Sequence, residues 1–467
     1  MDSKTKIIAT IGPACDDTET LQAMLDSGVN TFRLNMSHGD EPTKRNLYNL
    51  VESLKRADGL RPCILTDLAG PKIRITDVLP DFILEAGQSI TITNENGADE
   101  NHISVTEGIG FRDVSEGAKI LINDGRIQLQ VEETVSKHTI KCKAVIGGLV
   151  EPRKGVNFPG ITLDVPPLTD QDKTDLKMAL ELGADWIALS FVRSAEDLNE
   201  VLAVMDEMDK HLPVMAKIEK WEALGNIGAI TESFDAVMVA RGDLGVEIPS
   251  EQVPLAQKQI IDVAGALGKP VVIATQMLES MVDSQTPTRA EVSDIANAII
   301  DSVDALMVTG ETAVGNYPVD VIQTLKRVID ETEQATPSGR NSLPEEVTKT
   351  ADAISHAVCE IAQDLDINLI LTMTHSGSTA QMIACYRPEA TILALTPFDR
   401  VARQLQLVWG VIPIKVGQYD NIESVPDVCD AVLTERKLIK SGESYVITGG
   451  VPMGVAGTTN YLSVQTF

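Results

Sequence analysis

The chain has 467 residues, 43% hydrophobic and 4% aromatic, which is too long for one ordinary core and implies about two or three domains. With 39 Lys and Arg against 68 Asp and Glu, the net charge is −29, which argues against a nucleic-acid partner and against anionic membranes. Six scattered cysteines (Cys15, Cys63, Cys142, Cys359, Cys385 and Cys429) contain no C-x-x-C and read as free thiols in a reducing cytoplasm, not as a disulfide frame or a zinc site.

Lys4 and Lys6 lead straight into a strand, so no signal peptide is expected, and no apolar run is long enough to span a bilayer. Lys6–Gly12 reads as a strand, Asp17 as the cap of a helix running to Asp26, and Gly28 as its stop. Asn30–Ser37 follows as a second strand, Thr43–Asp58 as a second helix and Pro62–Asp67 as a third strand. From Lys72 to Pro167 the texture changes to short Thr-, Val- and Ile-rich runs separated by Gly, Asn and Asp, among them Ser89–Thr93, Lys119–Asn123, Arg126–Val131 and His138–Val145. Asn123-Asp124-Gly125 is a strong turn signal, and this stretch reads as an all-β insert. The strand–helix rhythm resumes at Thr169, a cap for a helix that Gly183 ends. Strands are expected at Trp186–Phe191, Val214–Ile218, Ala236–Ala240, Pro270–Thr275 and Ala305–Thr309, with Pro287 and Pro318 in first helical turns.

Three strands before the insert and five after it make eight, the count of a closed (β/α)8 barrel. The alternative, an open doubly wound sheet, requires a glycine-rich turn that Ile11-Gly12-Pro13-Ala14 does not supply. Glu331–Glu346, with Pro337, Gly339 and Pro344, reads as a linker to a smaller α/β unit. That unit has a helix at Thr350–Gln363 and strands near Leu369–Thr374, Thr391–Leu395, Val411–Val416 and Ser444–Thr448. The expected organisation is a barrel in two parts, 1–71 and 168–340, an insert at 72–167, and a C-terminal α/β domain at 341–467.

Charge gathers at the C-terminal strand ends, where barrels of this kind carry their chemistry. Arg33, Asn35, Ser37 and His38 end the second strand, and Asp67 ends the third with Lys72 and Arg74 just beyond. Ser190 and Arg193 end the fourth, Lys217 and Glu219 the fifth, Arg241 and Asp243 the sixth, Thr275 and Gln276 the seventh, and Gly310-Glu311-Thr312 the eighth. Lys217 and Glu219 share a strand face, and Asp243 joins them if the fifth and sixth strands are parallel neighbours; K-x-E alone is equally a buried ion pair. Glu219 and Asp243 offer oxygens to Mg²⁺, which takes one or two carboxylates with substrate oxygens. Arg33, Arg74 and Lys217 suit a phosphate, and the Gly242-Asp243 amides at a helix start suit a carboxylate. The set fits a metal-held substrate bearing both groups, and phosphoryl transfer asks a protein mainly for positioning and charge neutralisation. In the C-terminal unit, Thr374-His375-Ser376-Gly377-Ser378-Thr379 joins a strand to a helix, and its hydroxyls and free amides read as an anion site.

The motifs T-K-I-I-A-T-I-G-P from Thr5, R-L-N-M-S-H at Arg33–His38, D-L-A-G-P-K-I-R at Asp67–Arg74 and K-G-V-N-F-P-G at Lys154–Gly160 resemble those of pyruvate kinases. So do M-A-K-I-E at Met215–Glu219, A-R-G-D-L-G at Ala240–Gly245, A-T-Q-M-L-E-S-M at Ala274–Met281 and P-T-R-A-E-V-S-D at Pro287–Asp294, so the resemblance runs almost end to end. It implies a Mg²⁺- or Mn²⁺-dependent transfer from phosphoenolpyruvate to ADP, giving pyruvate and ATP as the last step of glycolysis, in a cytoplasmic homotetramer. The insert is similar to that family's hinged β-barrel lid, and the C-terminal unit to its effector domain. By the same resemblance, Glu219 and Asp243 are ligands of the catalytic metal, and Lys217 stabilises the phosphoryl group in flight and the enolate left behind. Arg33 reaches the phosphate, Thr275 lies near the carbon that is protonated, and the Gly242 and Asp243 amides cradle the carboxylate. Asn35, His38, Arg74 and Lys154 surround the nucleotide phosphates, with Asp124 a lesser candidate in the insert's turn.

Many pyruvate kinases hold K⁺ with residues matching Asn35, Ser37, Asp67 and the carbonyl of the next position. Lys72 stands where those enzymes carry Glu, and Leu68 where Thr is usual, so the resemblance points to the K⁺-independent branch, with the Lys72 ammonium as a fixed monovalent cation. Thr374, Ser376, Gly377, Ser378 and Thr379 are similar to the effector-phosphate loop. Gly449–Thr459 holds no Lys, Arg or Trp, which disfavours fructose bisphosphate and leaves a monophosphorylated sugar or nucleotide. Two alternatives stand: a Mg²⁺-enolate barrel aldolase or lyase acting on a pyruvate-like substrate, and a non-catalytic regulatory homologue. The first needs neither insert nor C-terminal unit; the second should lack Lys217, Glu219, Asp243 or Arg33, all of which are present.

Overall fold

A computed structural model describes residues 3–467 apart from 77–81, 96–101, 107–109, 164, 337–348, 420 and 453–457. Its centre is a closed barrel of eight parallel strands: Lys6–Thr10, Thr31–Asn35, Cys63–Asp67, Trp186–Leu189, Val214–Ile218, Ala236–Ala240, Val271–Ala274 and Ala305–Val308. Each strand pairs with its sequence neighbours, and the first closes on the eighth with Lys6 opposite Ala305. Both faces are covered, so the strands are near-continuous apolar runs. Period two sorts them into two clusters: Ile8, Leu65, Ala188, Met215, Met238 and Val272 in one, and Ala9, Ile64, Ile187, Ala216, Val237 and Ile273 packed with the helices in the other. Thr10, Asp67, Ser190 and Lys217 each lie two residues beyond a member of the first, inner cluster. The inward face of the barrel therefore ends in a polar layer at the mouth.

At the opposite end, the residue before a barrel strand repeatedly accepts from an amide of the preceding barrel strand. Asn30 takes Ile7 N–H at 2.9 Å, Asp185 takes Ile64 at 3.0 Å, Asp235 takes Val214 at 2.8 Å and Asp304 takes Val271 at 2.9 Å. Two of these carboxylates also hold the C-terminal unit: Arg403 reaches Asp185 at 2.9 Å and Arg387 reaches Asp304 at 3.0 Å. Leu407 of that unit joins the inner apolar cluster of the barrel. No helix among the described residues is long and apolar enough to cross a membrane.

The insert has its own core, including Ile90, Ile92, Ile120, Leu129, Ile140 and Phe158. Its strands pair as a six-stranded sheet and a separate two-stranded sheet, so closure into a barrel is not among the pairings of the described residues. The Asn123-Asp124 turn is left-handed at φ 54° for both residues, as the turn signal required. The C-terminal unit is a five-stranded sheet, one strand more than expected: Thr459–Thr466 runs antiparallel on the edge beside Ser444–Gly450. Its half-exposed, polar pattern carries no strong strand signal.

Three helix assignments shift. The second helix is Glu41–Ser53, not Thr43–Asp58, because the Asp40 carboxylate caps Thr43 N–H and Leu54 is already extended at ψ 149°. Pro287 precedes its helix, since Thr288 caps Arg289–Ile300 in a capping box with Glu291, whereas Pro318 does open Pro318–Ala335. That last helix takes in the start of the expected linker. Residues 337–346 of the linker, and the boundary at 340, lie outside the described residues.

Candidate active site

The mouth of the barrel is organised by a buried charge cluster drawn from the ends of four neighbouring barrel strands, the second to the fifth. Lys217 donates to Ser190 Oγ at 2.6 Å and sits 3.0 Å from Glu219 Oε1 and 3.1 Å from Asp67 Oδ1. Asp67 also takes Arg33, with Nε at 2.7 Å and Nη2 at 2.6 Å, and Arg33 Nη1 reaches Thr10 Oγ1 at 3.2 Å. Glu219 is fixed from its other oxygen by Phe191 N–H at 2.8 Å. Burial opposes charge on Lys217, but Asp67 and Glu219 outweigh it and raise its pKa above the usual lysine value. Burial alone would also raise Asp67, but Lys217 and Arg33 hold its carboxyl below the usual range. Glu219 is raised, chiefly by burial and then by neighbouring Asp243 and Asp67, against the pull of Lys217.

The short helix Arg241–Glu247 begins directly after the sixth strand and brings Asp243 to this cluster. Asp243 is about a quarter exposed, and its Oδ1 accepts from Lys72 Nζ at 2.8 Å. Gly242 N–H donates to Thr275 Oγ1 at 2.9 Å, so one amide of the expected carboxylate cradle is already shared with Thr275. Thr275 and Gln276 are both left-handed, at φ 68° and 56°, which is strained for a β-branched residue. Arg241 accounts for this geometry: its guanidinium donates to Thr275 O at 2.8 Å and Gln276 O at 3.1 Å, and its far nitrogen meets Asp294 at 2.5 Å.

The remaining candidates fall into three groups. Asn35 and Asp67 are opposite each other on paired strands, and Ser37 N–H donates to Asn35 Oδ1 at 3.1 Å. Those three are together, but the Lys72 ammonium expected beside them lies on Asp243 and 5.9 Å from the centre of the Phe191 ring. Arg74 and Lys154 lie on two segments of the insert joined by isolated bridging, where Arg74 pairs with Gly155, Ile75 N–H donates to Lys154 O at 2.9 Å and the Arg74 side chain reaches Arg153 O at 3.0 Å. His38 is exposed on the loop after the second strand, and no hydrogen bond or ion pair among the described residues joins Asn35 and His38 to Arg74 and Lys154. In the C-terminal unit, Gly377 is left-handed at φ 90° and opens the helix Ser378–Cys385; its N–H donates to Thr374 Oγ1 at 2.9 Å. Ser376 and Ser378 are 3.1 Å apart and Thr379 pairs with Thr459 at 2.8 Å, while residues 453–457 of the facing loop lie outside the described residues.

The family model for the pyruvate kinase barrel domain matches residues 2–322, and that for the pyruvate kinase alpha/beta domain matches residues 352–465. The chain belongs to the pyruvate kinase family. It is 42% identical to pyruvate kinase 2 of Synechocystis over 99% of this chain and 79% of that one. It is 43% identical to the pyruvate kinase of Geobacillus stearothermophilus, over 100% and 80%, and 40% identical to that of Agrobacterium vitis, over 99% and 96%. A crystal structure of a pyruvate kinase from Cryptosporidium parvum superposes with a TM-score of 0.92 at 34% identity, covering 99% of this chain and 96% of that one. The protein is thus a pyruvate kinase family enzyme, a phosphotransferase, and phosphoenolpyruvate and ADP are the substrates the family implies.

Two residues of this pyruvate kinase site had no assigned role in the sequence reading. Ser190 carries the shortest contact to Lys217, and its signal was its place two residues beyond inward-facing Ala188. Arg241 braces Thr275, and only its adjacency to Gly242 marked it. Asp67, expected beside a monovalent cation, is also the carboxylate that joins Arg33 to Lys217.

Proposed function

We propose that the chain transfers the phosphoryl group of phosphoenolpyruvate to ADP, with a divalent cation, Mg²⁺ or Mn²⁺, held by Glu219 and Asp243. The observation that carries this reading is the Lys217 ammonium, buried at the barrel mouth and kept charged between Asp67 and Glu219. A fixed positive charge of this kind stabilises a phosphoryl group in transfer and then the enolate oxygen it leaves behind. Arg33, braced on Asp67, supplies a second cation for the phosphate. The Gly242 and Asp243 amides receive the substrate carboxylate, and the Thr275 hydroxyl, held near them by Arg241, lies by the carbon that takes the proton. The donor set suits the metal: two carboxylates that act on one another electrostatically, the number Mg²⁺ takes when substrate oxygens and water complete its shell. When bound, the metal supplies charge neutralisation on the transferring phosphoryl oxygens.

Asn35, His38, Arg74 and Lys154 serve the nucleotide phosphates, the last two from the bridged segments that link the barrel to the insert, which acts as a lid. The lid spans 72–167, between barrel segments 1–71 and 168–340, and the C-terminal domain 341–467 carries a phosphorylated effector on Thr374–Thr379. Lys72 substitutes for K⁺ beside Asn35, Ser37 and Asp67 during turnover. In tetramethylammonium buffer, turnover should be unchanged by added KCl; a large, saturable K⁺ requirement contradicts this role. A cytoplasmic homotetramer activated by a monophosphorylated sugar or nucleotide completes the reading. A thermal-shift screen of sugar phosphates and AMP tests the effector: a rise in melting temperature that Ser378→Asp removes supports the loop, and no shift with any of them contradicts it.

A further inference from the structure

Asp243 touches the start of the insert, through Lys72, as well as the barrel. Lys72, at the start of the insert, runs its stem beneath Gly155, where an added Cβ would come within 3.2 Å of Lys72 Cε. Its ammonium then passes the Phe191 ring at 5.9 Å and ends 2.8 Å from Asp243 Oδ1. Phe191 is left-handed at φ 57°, and its amide holds Glu219. Both carboxylates that the proposed function gives to the metal are therefore in contact with a lysine: Glu219 with Lys217, and Asp243 with Lys72. The two lysines differ. Lys217 has Asp67 and Ser190 as further partners, whereas Lys72 sits on Asp243 from the insert side and is a quarter exposed.

We propose that the Lys72 ammonium is an internal competitor of the divalent cation at Asp243, keeping metal affinity low until an anionic substrate adds its own charge. This rests on Glu219 and Asp243 being the metal ligands. A dication on Asp243 and an ammonium on the same carboxylate repel strongly at a few ångströms in a partly desolvated mouth. One of them leaves, and the flexible lysine stem lets Lys72 be the one. Substrate phosphate and carboxylate offset the repulsion, so metal and substrate each strengthen the other's binding. The role of Lys72 beside Asn35, Ser37 and Asp67 requires it to leave Asp243, so the two roles of Lys72 are the ends of one exchange. Because Lys72 stands where the chain enters the insert and packs under Gly155 of its returning segment, the exchange ties metal loading to the proposed lid.

The test is Mn²⁺ titration of the full chain, read from the electron paramagnetic resonance signal of free Mn²⁺, with and without phosphoenolpyruvate. Without substrate, Lys72→Met and Lys72→Gln should each bind Mn²⁺ roughly tenfold more tightly than the unsubstituted chain, or better. Lys72→Arg, which keeps the charge, should stay within about threefold of it. With phosphoenolpyruvate present, the gap between Lys72→Met and the unsubstituted chain should narrow. Equal Mn²⁺ affinity in the neutral variants and the unsubstituted chain overturns the competition while leaving the metal site standing. Mn²⁺ binding that Asp243→Asn leaves unchanged, with or without substrate, overturns the metal assignment and the competition with it.

Discussion

Lys217→Met is expected to lower kcat for phosphoryl transfer by about a thousandfold or more, while Mn²⁺ binding and proton exchange at the methyl group of pyruvate survive in part. Methionine keeps most of the stem's volume, so the apolar packing below the mouth is retained. What disappears is the only ammonium that contacts Ser190, Asp67 and Glu219 together, among the described residues. Arg33 still compensates Asp67 and the Phe191 amide still holds Glu219, so the metal carboxylate keeps a partner. Rapid-quench transfer rates, Mn²⁺ titration and deuterium exchange into pyruvate, followed by proton NMR, separate the three functions. Equal loss of all three would mean that Lys217 organises the site and does not act on the moving charge.

The second large effect lies at the other end of the barrel. Asp185→Ala should destabilise the protein by about 2–4 kcal/mol, because it removes the one buried carboxylate that two arginines and a strand amide share. Asp185 is fully buried and accepts from Ile64 N–H at 3.0 Å, from Arg61 at 2.5 Å and from Arg403 at 2.9 Å. Its loss orphans a backbone amide and leaves the mostly buried Arg61 with only the half-exposed Glu52 as a carboxylate partner, while freeing the C-terminal unit from the Arg403 ion pair. Arg403→Ala should cost far less, since Arg403 is about a fifth exposed and Asp185 keeps Arg61. Chemical denaturation of both variants decides: a loss below about 1 kcal/mol for Asp185→Ala contradicts the anchoring role.

The barrel was legible because its strands are short apolar runs with charge gathered mainly toward their C-terminal ends, and because eight of them could be counted across the insert. Lys217 and Glu219 were legible for the same local reason: a spacing of two on one strand fixes a shared face. What could not be read was which distant side chains meet. Lys72 and Asp243 are 171 residues apart, and nothing in D-L-A-G-P-K-I-R says that its lysine turns to the helix that follows the sixth strand. The hub at Asp67 needs the second, third, fourth and fifth strands side by side before Arg33, Ser190 and Lys217 can share it. The left-handed turn at Thr275-Gln276 contradicts the preference of a β-branched residue and exists because Arg241 binds both carbonyls, a tertiary cause with no local signal. The edge strand Thr459–Thr466 escaped for the opposite reason: its pattern is too polar to announce itself.

The central claim is phosphoryl transfer between phosphoenolpyruvate and ADP at the Lys217 cluster, and a product balance tests it most directly. Phosphoenolpyruvate, ADP and Mg²⁺ are incubated with the unsubstituted chain and with Lys217→Met, and pyruvate and ATP are both quantified. Equimolar pyruvate and ATP, absent without ADP or Mg²⁺ and lost in Lys217→Met, is the predicted result. Pyruvate released without ADP, or no consumption of phosphoenolpyruvate at all, would contradict it.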